Sequence, residues 1–162
     1  MGCGPGLFLR DIRERGYTGA FGVTLSPEDA QACRAAGLGV IESDFSDIAL
    51  PSRQVDFIWC RHSLEHSPYP LFTLFEYNRL LRLEGRMVVE VPAPDTARRH
   101  EANPNHYSVL GAVIWAEFFS RAGFVVEREA IEDETLRDTR DGSIVEDRNL
   151  IFVVRKAAER VV

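Results

Sequence analysis

Gly2-Cys3-Gly4-Pro5-Gly6, followed at once by Leu7-Phe8-Leu9-Arg10-Asp11-Ile12, is the stretch on which the reading of this chain turns. Glycines at alternate positions let the backbone turn sharply and let a ligand come within hydrogen-bonding distance, because no Cβ intervenes. The residues after them, Leu7 to Arg15, have the spacing of a short amphipathic helix that closes at Gly16. A glycine turn feeding a helix N-terminus presents free N–H groups and the positive end of the helix dipole, a seat for a carboxylate or phosphate. Such loops hang from the carboxyl end of a buried strand, and here Met1 alone stands before the loop.

Outward from the loop, helices and strands alternate. Ala20 to Thr24 is a brief apolar run of strand type. Ser26-Pro27-Glu28-Asp29 reads as a helix start, with a serine cap, proline at the first helical position and acids in the first turn. That helix is expected to run to about Ala36 and close at Gly37, before a short strand at Val40-Ile41-Glu42 with Asp44 just beyond. Val55 to Cys60 is nearly continuous in apolar character, as expected of a strand buried on both faces of a parallel sheet. The polar loop His62-Ser63-Leu64-Glu65-His66 follows, and Pro68 and Pro70 start a helix with Leu71, Leu74, Phe75 and Leu81 at helical spacing.

Met87 to Val91 is the next strand, stopped by Pro92 and Pro94. The polar connection from Asp95 to Ser108 is long enough to be a lid or binding loop. Leu110, Val113, Ile114 and Phe118 mark a helix closing at Gly123, with Trp59, Trp115, Phe118 and Phe119 expected in the core. Phe124-Val125-Val126 and Leu150 to Val154 read as an antiparallel hairpin turning near Asp141-Gly142, and the charged stretch from Glu132 to Asp147 as a solvated face without function. The alternation predicts an α/β three-layer sandwich with a mostly parallel sheet and a C-terminal antiparallel hairpin, one domain over residues 1–162.

Composition narrows the function classes. With 45 % apolar and 27 % charged residues the chain is ordinary for a soluble globular protein, and a net charge of −6 counts against nucleic acid as the main partner. Cys3, Cys33 and Cys60 form neither an even set nor a C-x-x-C spacing, which points to reduced thiols in a cytoplasmic protein. No apolar run reaches membrane-spanning length and no signal-peptide pattern opens the chain, so no membrane partner is expected. An open sheet leaves room for a homodimer through exposed strand edges.

Four polar signals fall at the carboxyl ends of successive strand positions: the glycine loop, Thr24, Asp44 and the stretch from Arg61 to His66. In these segments the chain resembles the class I S-adenosylmethionine-dependent methyltransferases, in particular the type 11 and type 23 methyltransferase-domain group whose loop reads G-C-G-x-G and whose fourth strand is followed by L-E-H. The matching residues are Gly2-Cys3-Gly4-Pro5-Gly6, Gly22-Val23-Thr24-Leu25-Ser26, Ser43-Asp44-Phe45 with Leu50-Pro51, Val55-Asp56-Phe57-Ile58, Leu64-Glu65-His66, and Glu76 to Gly85 before the fifth strand. The resemblance covers nearly the whole chain and implies a Rossmann-like fold, methyl transfer, and S-adenosyl-L-methionine as cofactor. It further implies that Gly2, Cys3, Gly4 and Gly6 take the methionyl end of the cofactor. Thr24, with Leu25 after it, holds the ribose position, Asp44 receives the adenine amino group beside Phe45 and Ser46, and Cys60, Arg61 and His62 flank the sulfonium side.

The chain departs from the family at two points. The acid that grips the ribose in the family is Thr24 here, and the family's first strand, which ends in an acid two residues before the first glycine, has no counterpart. The family's topology puts that strand between those at Phe21 and Phe57, and we expect it to be encoded upstream of Met1.

His62 and His66 stand four apart with Glu65 between them. No third ligand is assured by spacing, so no metal is expected. Bracing of the loop by a Glu65–His66 pair is the bland reading. The functional one is a general base for O- or N-methylation, since a neutral imidazole titrates near working pH. His66, His62 and His106 are therefore the catalytic candidates, while His100 and His106 also suit loop-anchoring or solvent-exposed roles. The acceptor expected is a small molecule or a glycan, with O-methylation preferred; the glycan reading rests on likeness of Asn103-Pro104-Asn105-His106-Tyr107 to acceptor loops. Two other readings stand beside it: a non-catalytic, degenerate methyltransferase-fold binding protein, and a nicotinamide oxidoreductase, which the loop spacing and the missing acid disfavour.

Overall fold

The computed structural model describes residues 1–137 and 142–160, so the turn expected at Asp141-Gly142 falls partly outside the described residues. The chain gathers into two compact units, Met1–Ala49 and Leu50–Val162.

The first unit is a βαβ arrangement preceded by the glycine loop and a helix. Helix α1, Leu7–Glu14, starts at Gly6 and is closed by Arg15 ahead of Gly16. Strand β1, Phe21–Thr24, leads to α2, Pro27–Ala35, where Ser26 Oγ accepts the Asp29 N–H at 3.1 Å and proline takes the first turn. Strand β2, Gly39–Glu42, pairs in parallel with β1 from Phe21↔Gly39 to Thr24↔Glu42. Leu9, Cys33 and Leu38 form the core, with Cys3, Ile12, Ala36 and Val40 packed on it. Gly6 is dictated twice: its φ is +82°, and a Cβ there would meet Leu38 Cδ1 at 2.6 Å and Cys33 Sγ at 2.9 Å.

The second unit holds a four-stranded sheet in the order β3-β4-β6-β5. Strand β3 spans Val55–Arg61, helix α3 Pro70–Leu80, β4 Leu81–Pro92, α4 Ala112–Arg121, β5 Phe124–Arg137 and β6 Ile144–Lys156. The β3–β4 pair is parallel, whereas β4–β6 and β5–β6 are antiparallel. The α/β class with parallel pairs and a C-terminal antiparallel hairpin is thus present as expected. Strands β1 and β3, the neighbours expected for the family's first strand, are each paired on one side within their own sheets.

Several local expectations need correction. Strand β4 begins at Leu81, not Met87, because the chain leaves α3 directly into pairing with Val55 before a register shift. Strand β3 is not buried on both faces: Ile58 and Cys60 are buried, but Phe57 is 51 % exposed. Of the aromatics expected in the core, Trp115 and Phe119 are buried, stacking at 6.3 Å with Phe119 reaching Phe152 at 5.2 Å, but Trp59 and Phe118 are only half-buried, and Val113 and Ile114 on α4 face outward.

A polar lock fastens α3 to the end of β6. The Lys156 ammonium, fully buried, donates to the carbonyls of Asn78 (2.7 Å) and Leu81 (2.8 Å) and to Glu159 Oε2 (2.9 Å). The Asn78 amide donates to the carbonyls of Ala122 (2.8 Å) and Ala158 (2.9 Å), and its oxygen accepts the Arg160 N–H. All three ammonium protons are thereby used, which is what makes a buried lysine tolerable.

Candidate functional site

In the first unit the cofactor-site residues of the sequence reading converge on one sheet edge. The Cys3 N–H donates to the Val23 carbonyl at 2.9 Å, which seats the glycine loop at the carboxyl end of β1. The Ser43 N–H donates to the Thr24 carbonyl at 3.0 Å and brings Asp44 to the same edge. Gly2, Gly4 and Gly6 all have positive φ, and a Cβ on Gly4 would meet nothing within 4 Å, so the loop faces open space there. No side chain caps the start of α1. Thr24 is buried, its hydroxyl oxygen accepting the Ser26 N–H at 3.2 Å while its proton stays available. Leu25 is exposed, Phe45 half-buried, and Asp44 exposed with one oxygen accepting the Ser46 N–H at 2.7 Å. Burial, then the neighbouring Cys33, pushes the Cys3 thiol up to about 11.

In the second unit a cavity of about 360 Å³ opens at the carboxyl end of β3. Its histidines come from two segments: His62 directly after β3 with His66 at the end of the short helical turn Leu64–His66, and His100 and His106 from the loop after β4. The catalytic candidates His62, His66 and His106 are thus brought together. The His66 and His106 rings meet edge-on at 4.8 Å, and His106 stacks on His100 at 5.4 Å.

Backbone bonds hold the loop in place, since the N–H groups of Tyr107 and Ser108 both donate to the Glu65 carbonyl, at 2.9 and 3.0 Å. His66 Nδ1 lies 2.8 Å from the Asn105 carbonyl oxygen. The bracing expected of a Glu65–His66 pair is therefore divided: His66 braces the loop, and the Glu65 carboxylate turns to His62 instead, 3.5 Å from Nδ1.

Charges line the rest of the wall. Arg61 is claimed by Glu90 through two contacts of 2.8 and 2.9 Å, and His62 Nε2 lies 3.3 Å from Glu90. Chiefly through the hydrogen bond with Glu65, the His62 pKa is raised above its ordinary value; burial lowers that of His106. Cys60 is buried, beside the Tyr77 hydroxyl at 3.9 Å, and burial pushes its thiol up to about 11.

The stretch from Glu132 to Asp147, expected to be a functionless solvated face, supplies Glu134, Leu136 and Asp147 to the cavity, with Asn149 just beyond. Asp147 is 5 % exposed and meets His100. Asp147 and Asn149 are both buried at the head of β6, two residues apart and so on one face, and no local pattern in this charged run marks them. Asn103, from the expected acceptor loop, also lines the wall, whereas Arg98 on the wall and Glu90 in its ion pairs were not foreseen.

The family described as "Methyltransferase domain" matches residues 1–89, more than half of the chain. The chain belongs to this methyltransferase-domain family. It is a class I S-adenosylmethionine-dependent methyltransferase, and its cofactor is S-adenosyl-L-methionine. No curated protein matches the sequence.

Among solved structures, this methyltransferase is similar to a chain in the complex of the Haloferax volcanii Trm112 methyltransferase activator with a methyltransferase, at 21 % identity and TM-score 0.78 over 99 % of this chain and 82 % of that one. A SAM-dependent methyltransferase from Archaeoglobus fulgidus gives 17 % and 0.74 over 96 % and 83 %. The [4+2]-cyclase SpnF gives 16 % and 0.75 over 97 % and 73 %. At such identities likeness speaks for the fold alone, and the cyclase illustrates that one fold hosts different reactions. Family membership favours the methyltransferase over the non-catalytic binding protein. Among the described residues no helix is long and apolar enough to cross a membrane.

Proposed function

We propose that this methyltransferase methylates a hydroxylated small molecule or glycan-type acceptor held in the histidine-lined cavity of the second unit. His66 carries the reading. A carbonyl oxygen only accepts, so the contact with Asn105 puts the proton on Nδ1 and leaves the Nε2 lone pair available in a cavity with charged and polar walls. That is the arrangement a general base needs to take a hydroxyl proton. Bound S-adenosylmethionine supplies an electrophilic methyl group on a cationic sulfur. His62, held between Glu65 and Glu90, orients the acceptor, and His106, kept neutral by burial, is a second proton acceptor.

For the cofactor, we assign the methionyl carboxylate to the loop of Gly2, Cys3, Gly4 and Gly6 with the uncapped start of α1, the ribose to Thr24 and Leu25, and the adenine to Asp44 and Phe45. The donor chemistry fits: the Cys3 and Gly6 N–H groups are spent on the Val23 and Cys3 carbonyls, but the Gly4 N–H and the uncapped start of α1 suit an anion, the Thr24 hydroxyl proton suits a ribose oxygen, and the second Asp44 oxygen suits an amino group. Cys60, Arg61 and His62 stay in the assignment on the family resemblance. Three free thiols support a cytoplasmic location. The β5 edge carries Glu127, Glu129, Glu132 and Glu134, which discourages pairing with a second copy, so the site is proposed as the work of one chain, a point that sedimentation velocity checks.

The decisive assay supplies labelled S-adenosylmethionine and paired hydroxyl and amine acceptors of matched size. Label is expected on oxygen, with His66→Ala slower by about 10²–10⁴. Amine acceptors turned over while hydroxyl ones stay inert, or a His66→Ala chain working at full rate, would overturn the proposal.

A further inference from the structure

Glu65, His66 and His106 each place a candidate ligand atom within 4.8 Å of the other two. We propose that these three side chains form a binding site for a first-row divalent cation, with Zn²⁺ the best match to two imidazoles and one carboxylate.

The state of each side chain supports this. Glu65 is 1 % exposed, and its Oε2, buried on the cavity wall, has no hydrogen-bond partner among the described residues. A carboxylate oxygen taken out of water without a donor is costly, and a cation is the partner that relieves it. His66 gives Nδ1 to the Asn105 carbonyl, which leaves Nε2 as a lone pair; metal-binding histidines are characteristically fixed by such a bond on the far ring nitrogen. His106 Nδ1 is also buried and without a partner among the described residues. The remaining Glu65 oxygen faces His62, an outer contact of the kind that orients a ligand.

Distance is compatible. A tetrahedral Zn²⁺ with bonds of about 2.0–2.1 Å asks for ligand atoms ~3.3 Å apart, so the side chains need to close in by no more than about 1.5 Å. The cavity arginines do not compete for the carboxylate, because Arg61 is held by Glu90, and Arg98 lies 3.6 Å from Asp147. The second acidic group, Glu90 with Glu132 and Glu134, lacks this character: Arg61 contacts Glu90 at 2.8 Å and Glu134 at 3.9 Å.

Three protein ligands leave a coordination position open to the cavity, the pattern of a catalytic rather than a structural zinc site. An acceptor hydroxyl bound there would be more acidic and could release its proton to solvent water in the cavity, and with the ion present His66 and His106 would act as ligands in place of proton acceptors. That use rests on the cavity being the acceptor site; metal binding does not.

The test titrates the full chain, stripped by EDTA dialysis, with ZnCl₂ in a calorimeter. One Zn²⁺ per chain is expected, with affinity at least about 100-fold lower in Glu65→Gln and His106→Asn, the upper end of what outer-contact changes cost, and unchanged in Glu132→Gln. Because Glu65 is buried, the unsubstituted chain is also followed by imidazole ¹⁵N resonances, where one equivalent of Zn²⁺ should shift His66 and His106 far more than His100. Absence of binding, unaltered affinity in both site variants, or unmoved His66 and His106 signals would overturn the site. Methyl transfer is read in neither measurement, so failure here and failure of the proposed activity are separate results.

Discussion

His100, on the loop after β4, meets Asp147, on β6, with Nε2 3.0 Å from both carboxylate oxygens and both side chains nearly out of solvent. A bond from a buried ring to a carboxylate is worth about 1.5–3 kcal/mol. Asp147→Ala is expected to cost that much in urea unfolding. It should also raise hydrogen exchange in the loop from Asp95 to Ser108 more than elsewhere in the second unit.

Two glycines of one loop should fail differently. Gly6→Ala drives a methyl into Leu38 and Cys33 at a positive φ, and is expected to destabilise the first unit by at least the ~1–2 kcal/mol of left-handed backbone strain. Gly4→Ala carries the same left-handed strain at φ +50° but has room around its Cβ, so only its packing cost is smaller, and the methyl enters the space assigned to the cofactor. Calorimetry is expected to show S-adenosylmethionine affinity reduced about tenfold, a loss of ~1.4 kcal/mol. Melting curves of both variants separate the two effects.

The thiols set an alkaline limit. Cys3 and Cys60 are raised to about 11 from 9.0, so the folded chain keeps their protons after the unfolded chain has lost them. Their contribution to stability is full below about pH 9 and is lost as pH rises through about 11. Melting temperature is expected to fall across that window, less steeply in Cys60→Ala. At pH 8 both thiols should react slowly with iodoacetamide, Cys60 the more slowly because it is buried.

Lys156→Met would fill the volume of the lock without donating. The Asn78 and Leu81 carbonyls would lose their donor, at about 1–3 kcal/mol for each one orphaned. The expected outcome is a large drop in the urea midpoint, with cofactor affinity in the first unit unchanged.

Much of the fold was legible because local chemistry and tertiary structure agree: Ser26-Pro27 starts α2, and glycines at 16, 37 and 123 stand after helix ends in positive φ. The glycine loop stood out by its spacing ahead of a helix, and Thr24 and Asp44 by falling at or just past the end of a strand. The cavity was only half legible. His62, Glu65 and His66 are close in sequence, but their partners Glu90, Asp147 and Asn149 arrive from β4 and β6 through pairing, which no local pattern reports. Asp147 in particular sits in a run whose charge suits a solvated face. On α4 the core residues Trp115 and Phe119 were legible as large aromatics, whereas Val113 and Ile114, which mark the helix, turn out exposed.

The Glu65 carbonyl receives the backbone N–H groups of Tyr107 and Ser108, and the Ser108 hydroxyl donates to the Ser67 carbonyl at 2.8 Å, so the far end of the loop is anchored almost wholly through main-chain groups. Apart from Arg98 and His100, which meet Asp147, sequence between Asp95 and Asn103 can therefore drift while the attachment points persist. Such a segment is a replaceable cassette: acceptor preference can diversify on it over evolutionary time, with the cofactor loop of the first unit left untouched.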